Sequence, residues 1–184
     1  PLGVDTELFR PLPETEREPH RLMTTASADA PLKGLAVLLR AIASLRSSYP
    51  DIRLALVGRP KPGGDTEKLI ASLGLGNVVK SFKGISHEEM VQKYAIASVA
   101  VVPSIYEGFG LPAVEAMACG VPLVSTDGGA LAEVVADAGL VVPAGDSEAL
   151  AAAICQLFED DQLRDDYASR GLSRVEQHFC WNRC

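Results

Sequence analysis

Short apolar runs alternate with amphipathic helical stretches along most of this chain, and that alternation limits the available folds more than any other feature. Residues 22–25, 53–57, 78–82, 99–102, 123–125 and 140–142 are rich in Val, Leu and other apolar residues and read as strands. Residues 35–45, 66–73, 87–95, 111–118, 130–136 and 147–158 carry helical periodicity. Asp146 or Ser147 is placed to cap the last of these helices, and Gly120 follows the one ending near Cys119. Strands separated by helices need crossover connections, which make a parallel sheet covered on both faces. The expected architecture is therefore α/β, a doubly wound parallel sheet of six strands. The polar, Pro-rich stretch through Pro19 reads as a connector, and residues 160–184 as a charged helix that stops without a cap or breaker.

Composition narrows the function. At 184 residues the chain makes one domain, and such a domain buries roughly 70% of its unfolded surface. A net charge of −7 counts against a nucleic-acid polymer as partner, because phosphate backbones need a basic face. A small phosphorylated ligand needs only a local positive site. No apolar run approaches the ~20 residues of a membrane helix. The first residue is Pro, so a targeting segment ahead of it is not excluded. Cys119, Cys155, Cys180 and Cys184 show no zinc spacing, and His178 beside the last two leaves too few ligands for a closed site. They read as reduced thiols of a cytoplasmic protein, with no metal or cofactor expected.

The loop after the fourth strand carries the chemistry. Residues 103–115 read Pro-Ser-Ile-Tyr-Glu-Gly-Phe-Gly-Leu-Pro-Ala-Val-Glu. A strand, a Gly-rich turn and a helix N-terminus make an anion site, since free N–H groups and the helix dipole both point at the turn. Glu107 and Glu115 would repel an anion, so they suit a different ligand group. Ionised carboxylates only accept hydrogen bonds, which fits sugar hydroxyls. In a sheet ordered 3-2-1-4-5-6 the ligand crevice lies between strands one and four, beyond their carboxyl ends. The loops that should face each other there hold Lys33-Gly34 and Glu107-Gly108-Phe109-Gly110. Lys33 is then a phosphate clamp or a solvated lysine near a helix start. Glu115 is either half-buried with a partner or turned to solvent. Gly108 and Gly110 serve the turn or admit a ligand close to the backbone. Asp127-Gly128-Gly129 is a tight turn that either lines the pocket or merely closes the strand. Gly74-Leu75-Gly76-Asn77 precedes a strand and lacks a third glycine, so it reads as a helix-to-strand turn rather than a dinucleotide fingerprint. None of His20, His87 and His178 lies on the two site loops, and there is no Ser-centred nucleophile elbow.

Glu107-x7-Glu115, framed by Pro-Ser-x-Tyr-Glu-Gly-Phe-Gly-Leu before and Glu-Ala-Met-Ala-Cys-Gly-Val-Pro after, resembles the retaining GT-B glycosyltransferases of family 4. The likeness runs from Gly3-Val4-Asp5 through Lys33-Gly34, Phe82-x-Gly84 and Glu133 to Phe179-x-Trp181. It is the Rossmann-like C-terminal, donor-binding domain that the chain is similar to. The resemblance implies that Glu115 holds the ribose hydroxyls of a nucleotide diphosphate sugar (UDP-, GDP- or ADP-linked). It implies that Glu107 contacts the transferred sugar and that the amides of Gly108, Phe109, Gly110 and Leu111 meet sugar and diphosphate. Lys33 would sit on the diphosphate, with Glu107 and Lys33 as the catalytic pair, and Gly84 and Ile85 would border the base.

Two departures stand out. Family members usually carry an arginine five residues before the lysine; here that position is Ala28, leaving Arg59, Lys61 or another cation to substitute. The acceptor domain also has no counterpart in these residues. The expectation is an excised domain that binds donor weakly without turnover, while a sugar, lipid or other acceptor is met through the missing N-terminal domain. The full-length protein would be cytoplasmic, with peripheral association at the inner face of the membrane as an option. A non-catalytic nucleotide-binding regulatory module and a GT-B sugar-nucleotide epimerase are the alternatives.

Overall fold

The computed structural model describes residues 3–26 and 30–181. Six strands form one parallel sheet: β1 (Glu18–Thr25), β2 (Arg53–Val57), β3 (Val79–Phe82), β4 (Ala97–Val102), β5 (Leu123–Thr126) and β6 (Leu140–Val142). Their order is β3-β2-β1-β4-β5-β6, the doubly wound arrangement with its switch between β1 and β4. The helices are α1 (Leu35–Leu45), α2 (Asp65–Ser72), α3 (His87–Ile96), α4 (Leu111–Ala118), α5 (Leu131–Val135), α6 (Ser147–Glu159) and α7 (Asp161–His178).

The pleat sorts the strands' side chains into two cores. Leu22, Leu54, Leu56, Val99, Val101 and Val124 pack with the apolar stripes of α1 and α6. Met23, Ala55, Ala100, Val102 and Leu123 point the other way, under Ala113, Val114 and Met117 of α4 and Leu131 and Val134 of α5. Both faces of the central strands are thus dry, which explains why they read as continuous apolar runs. Burying each Leu or Val side chain contributes about 1.5–3 kcal/mol. Caps fix the helix starts: Ser86 and Glu89 form a reciprocal capping box on α3, and the Asp146 carboxylate accepts from the amides of Glu148 and Ala149.

The N-terminal stretch is not the connector its composition suggested. Val4 and Phe9 are buried in the core beneath α4 and α7. The Arg17 guanidinium reaches the amino ends of the central strands and donates to the carbonyls of Tyr94 (3.2 Å), Ala97 (2.7 Å) and Gly120 (2.7 Å). Val4, Leu8, Phe9 and Leu12 are spread over a Pro-containing stretch too short to establish a period, so their burial left no pattern to read. β1 likewise begins four residues before the expected start at 22. Its first half holds Pro19, His20 at φ +51° and a register shift against β4, which break the two-residue alternation.

The final stretch is helical as expected, but the helix ends sooner. Asp160 caps its start by accepting from the Leu163 amide (2.9 Å). It ends at His178, where the chain turns back: the Phe179 carbonyl accepts from the Val4 amide (2.8 Å), and Cys180 bridges Val4. Cys184 lies outside the described residues.

Candidate functional site

The two loops on either side of the switch point touch. A short 3-10 turn, Pro31–Lys33, leads from β1 into α1. The Leu32 carbonyl accepts from the amides of Ile105 (2.8 Å) and Tyr106 (3.3 Å) in the loop after β4. Gly34 then crosses that loop with φ +64°, and a Cβ there would sit 1.8 Å from the Pro103 carbonyl oxygen. Only glycine lets the two backbones pass so closely. This crossing delivers Lys33 to the glycine-rich turn.

Lys33 Nζ donates to Glu107 Oε2 at 2.6 Å, and the side chains are 30% and 14% exposed respectively. Ser104, buried three residues before Glu107, donates through Oγ to the same carboxylate oxygen at 3.4 Å. Thr126 at the end of β5 in turn donates to the Ser104 carbonyl. The glycines after β5 support Glu107 from behind. Gly129 bridges Glu107, and the Ala130 amide donates to the Glu107 carbonyl at 3.0 Å. A Cβ on Gly129 would lie 2.3 Å from that carbonyl oxygen. The Asp127 side chain instead accepts from the Ala144 amide (2.8 Å) and ties down the loop after β6. So this tripeptide shapes the site's backing, and its carboxylate is spent on a neighbouring loop.

Beyond Glu107 the chain offers donors. Among the described residues, the amides of Gly108, Phe109, Gly110 and Leu111 have no hydrogen-bond partner, and Pro112 has no N–H to offer. Gly110 stands at the N-cap of α4, so these unpaired amides gather at the positive end of the helix dipole. The Phe109 side chain turns away from them and packs edge-on against Phe179, with centroids 5.9 Å apart. Leu111 is partly exposed.

One turn into α4, Glu115 is half-buried and has a partner. The hydroxyl of Tyr94, itself fully buried on α3, donates to Glu115 Oε2 at 3.3 Å and to the Pro112 carbonyl at 3.4 Å. Burial raises the Glu115 pKa above the ordinary carboxylate range; the Tyr94 hydrogen bond and His87 pull it partly back. Burial also holds the Tyr94 phenol protonated well beyond its usual range.

A cleft of about 380 Å³ opens over the carboxyl ends of β1, β2 and β3. Lys33, Gly84 and Ile85 line it together with Thr25, Gly58 and Pro112. Of the residues singled out in the sequence, Lys33 and Glu107 meet directly, and Pro112 connects the turn to the cleft wall. Ala28 lies outside the described residues. Lys83 is a second cation on the cleft that sequence reasoning passed over. Its signal was its place one residue past β3, on the same edge of the sheet. Ser104 and Tyr94 were also missed: the first was readable as a hydroxyl three residues from Glu107, whereas nothing in the sequence links Tyr94 to Glu115.

Comparison with known proteins identifies the family. A family model described as "Glycosyl transferases group 1" matches residues 11–174. The chain is 45% identical over 185 residues to the MMP alpha-(1->4)-mannosyltransferase of Mycolicibacterium hassiacum, covering 98% of this chain and 44% of that protein. It superposes on sucrose-phosphate synthase from Thermosynechococcus elongatus with a TM-score of 0.86 at 32% identity, covering 100% of this chain and 48% of the other. Anabaena HepE in complex with UDP-glucose matches at a TM-score of 0.80 and 26% identity, over 97% of this chain and 52% of HepE. The chain thus spans about half the length of the relatives it matches. With a family match over most of its residues and the same doubly wound sheet as these relatives, the chain belongs to the group 1 glycosyltransferases.

Proposed function

We propose that these residues form the donor-binding domain of a retaining, family 4 glycosyltransferase, the C-terminal half of a GT-B enzyme. They would take a nucleotide diphosphate sugar for glycosyl transfer to an acceptor held by a further domain. The observation that carries this reading is the Lys33–Glu107 contact beside four unpaired amides at a helix N-terminus. A cation and a row of free N–H groups suit a diphosphate, and a carboxylate in the same place suits the hydroxyls of the sugar attached to it. HepE with UDP-glucose, on the same fold, supports a nucleotide sugar as ligand.

In this reading Glu115 accepts from the ribose hydroxyls and Glu107 from those of the transferred sugar. The amides of Gly108 to Leu111 and Lys33 hold the diphosphate, while Gly84 and Ile85 border the base. As the glycosidic bond breaks, negative charge grows on the departing diphosphate. A lysine and a helix N-terminus aimed there stabilise that charge without reorganising, which is where catalysis gains most. Retention of configuration follows from the family resemblance, and a hexosyl donor from the mannosyltransferase relative.

The test is calorimetric titration of the chain with UDP, GDP and ADP and their sugar conjugates. One base series should bind, and its affinity should fall when Lys33 is replaced by Ala. Two charge-assisted hydrogen bonds at about 1.5–3 kcal/mol each predict that losing the Glu115 carboxylate weakens binding by roughly two orders of magnitude or more. Heats of dilution alone with all six ligands would sink the proposal.

A further inference from the structure

Glu115 is held by a residue that the donor would never touch. Tyr94 is among the largest fully buried side chains, and its ring packs in the core beneath α4 with Met23, Ala97 and Ala113. A phenol that deep must find a partner for its O–H. Its single proton faces Glu115 Oε2 and the Pro112 carbonyl, and the charged acceptor makes the stronger bond. Both acceptors lie on the first turns of α4, the helix at whose N-terminus the unpaired amides gather, and Pro112 lines the cleft. The phenol therefore approaches the carboxylate from the core side and occupies Oε2, one turn along α4 from Pro112 on the cleft wall.

We propose that Tyr94 is a positioning residue for donor recognition: its buried hydroxyl fixes the Glu115 carboxylate in the orientation that meets the ribose. The inference rests on the reading of Glu115 as the ribose acceptor. Without the phenol hydroxyl, a half-buried carboxylate loses its inner partner and is free to swing among rotamers, each of which the ligand must then select against. The cost falls on the ribose contact alone, because the ring still fills the core.

The experiment compares the 184-residue chain with its Tyr94→Phe and Glu115→Gln variants. Each is titrated with whichever of UDP, GDP or ADP binds best, and with the 2′,3′-dideoxy form of that nucleotide. The parent chain should prefer the ribose form by roughly a hundredfold or more, the value of two charge-assisted bonds. Tyr94→Phe should lower that preference about three- to tenfold while leaving dideoxy affinity unchanged, because the carboxylate remains and loses only its fixed orientation. Glu115→Gln should abolish the preference, and the double variant should add nothing further. A fold-preserving check is 3-fluorotyrosine placed at position 94, a stronger donor, which should raise the preference. Equal weakening of both ligands by Tyr94→Phe would make the hydroxyl merely structural, and an unchanged preference in Tyr94→Phe or the fluorinated chain would overturn the inference while leaving Glu115 in place. If Glu115→Gln itself keeps the preference, the underlying reading of Glu115 fails instead.

Discussion

Replacing Glu107 by Gln should separate the affinities of two ligands. Lys33 Nζ sits 2.6 Å from Glu107 Oε2, and the two side chains are 30% and 14% exposed. A wholly exposed ion pair contributes about 0.2–1 kcal/mol, and a hydrogen bond to a charged group about 1.5–3 kcal/mol. A pair between these limits contributes about 1–1.5 kcal/mol, which an incoming diphosphate must displace before it can use Lys33. Removing the carboxylate frees the ammonium, so a free nucleoside diphosphate should bind about five- to tenfold tighter to Glu107→Gln. The matching sugar nucleotide gains the same freedom but loses an ionised acceptor for its hydroxyls. Its affinity relative to the free nucleotide should therefore drop by about tenfold or more. Isothermal titration of both ligands, at low and moderate salt, reads both numbers. The ligand-free variant should also melt at a lower temperature, because the native state has lost the pair. If Glu107→Gln binds both ligands as the parent does, the ion pair neither competes with the diphosphate nor gives way to the sugar, and both roles are refuted.

Three further outcomes are expected. Gly34→Ala would place a Cβ 1.8 Å from the Pro103 carbonyl at φ +64°; forcing the crossing loops apart should cost about 2–3 kcal/mol and lower the melting temperature by about 5–10 °C. A negligible shift would contradict the crossing. Arg17→Met strands the buried carbonyls of Tyr94, Ala97 and Gly120, so urea denaturation should show a loss of about 2–3 kcal/mol, and a change within error would show that water replaces the guanidinium. Burial raises the Glu115 pKa, so the folded chain takes up that proton at higher pH than the unfolded one, and acidification through the raised value favours the fold through this group. Nucleotide affinity should move the other way, since the ribose needs an ionised acceptor. Glu115→Gln should remove both trends, and parallel pH profiles of stability and binding for parent and variant would count against them.

The sheet order was legible because chain connectivity and handedness leave few ways to wind strands that alternate with helices. That order alone brought Lys33 and the Glu107 turn to the same crevice before any contact was known. What stayed hidden depends on long-range packing. Tyr94 and Glu115 stand far apart in the chain, on different helices, and no periodicity joins them. Val4 and Phe9, with Leu8 and Leu12, are scattered over a Pro-containing stretch too short to set a repeat, and the first two are buried in the same cluster as Val175 of α7. The start of β1 was lost because His20 adopts a positive φ that sequence patterns do not encode.

Strand order also governs what the growing polypeptide can complete. β1 leaves the ribosome before the other strands, yet its second neighbour is β4. A nascent chain can pair β1, β2 and β3, but one side of β1 keeps its ladder groups unpaired until β4 (Ala97–Val102) emerges, an open edge that chaperones or misassembly can occupy. Lys33 and Glu107 meet only after that gap closes, so their ion pair, and with it the proposed diphosphate site, forms late in synthesis.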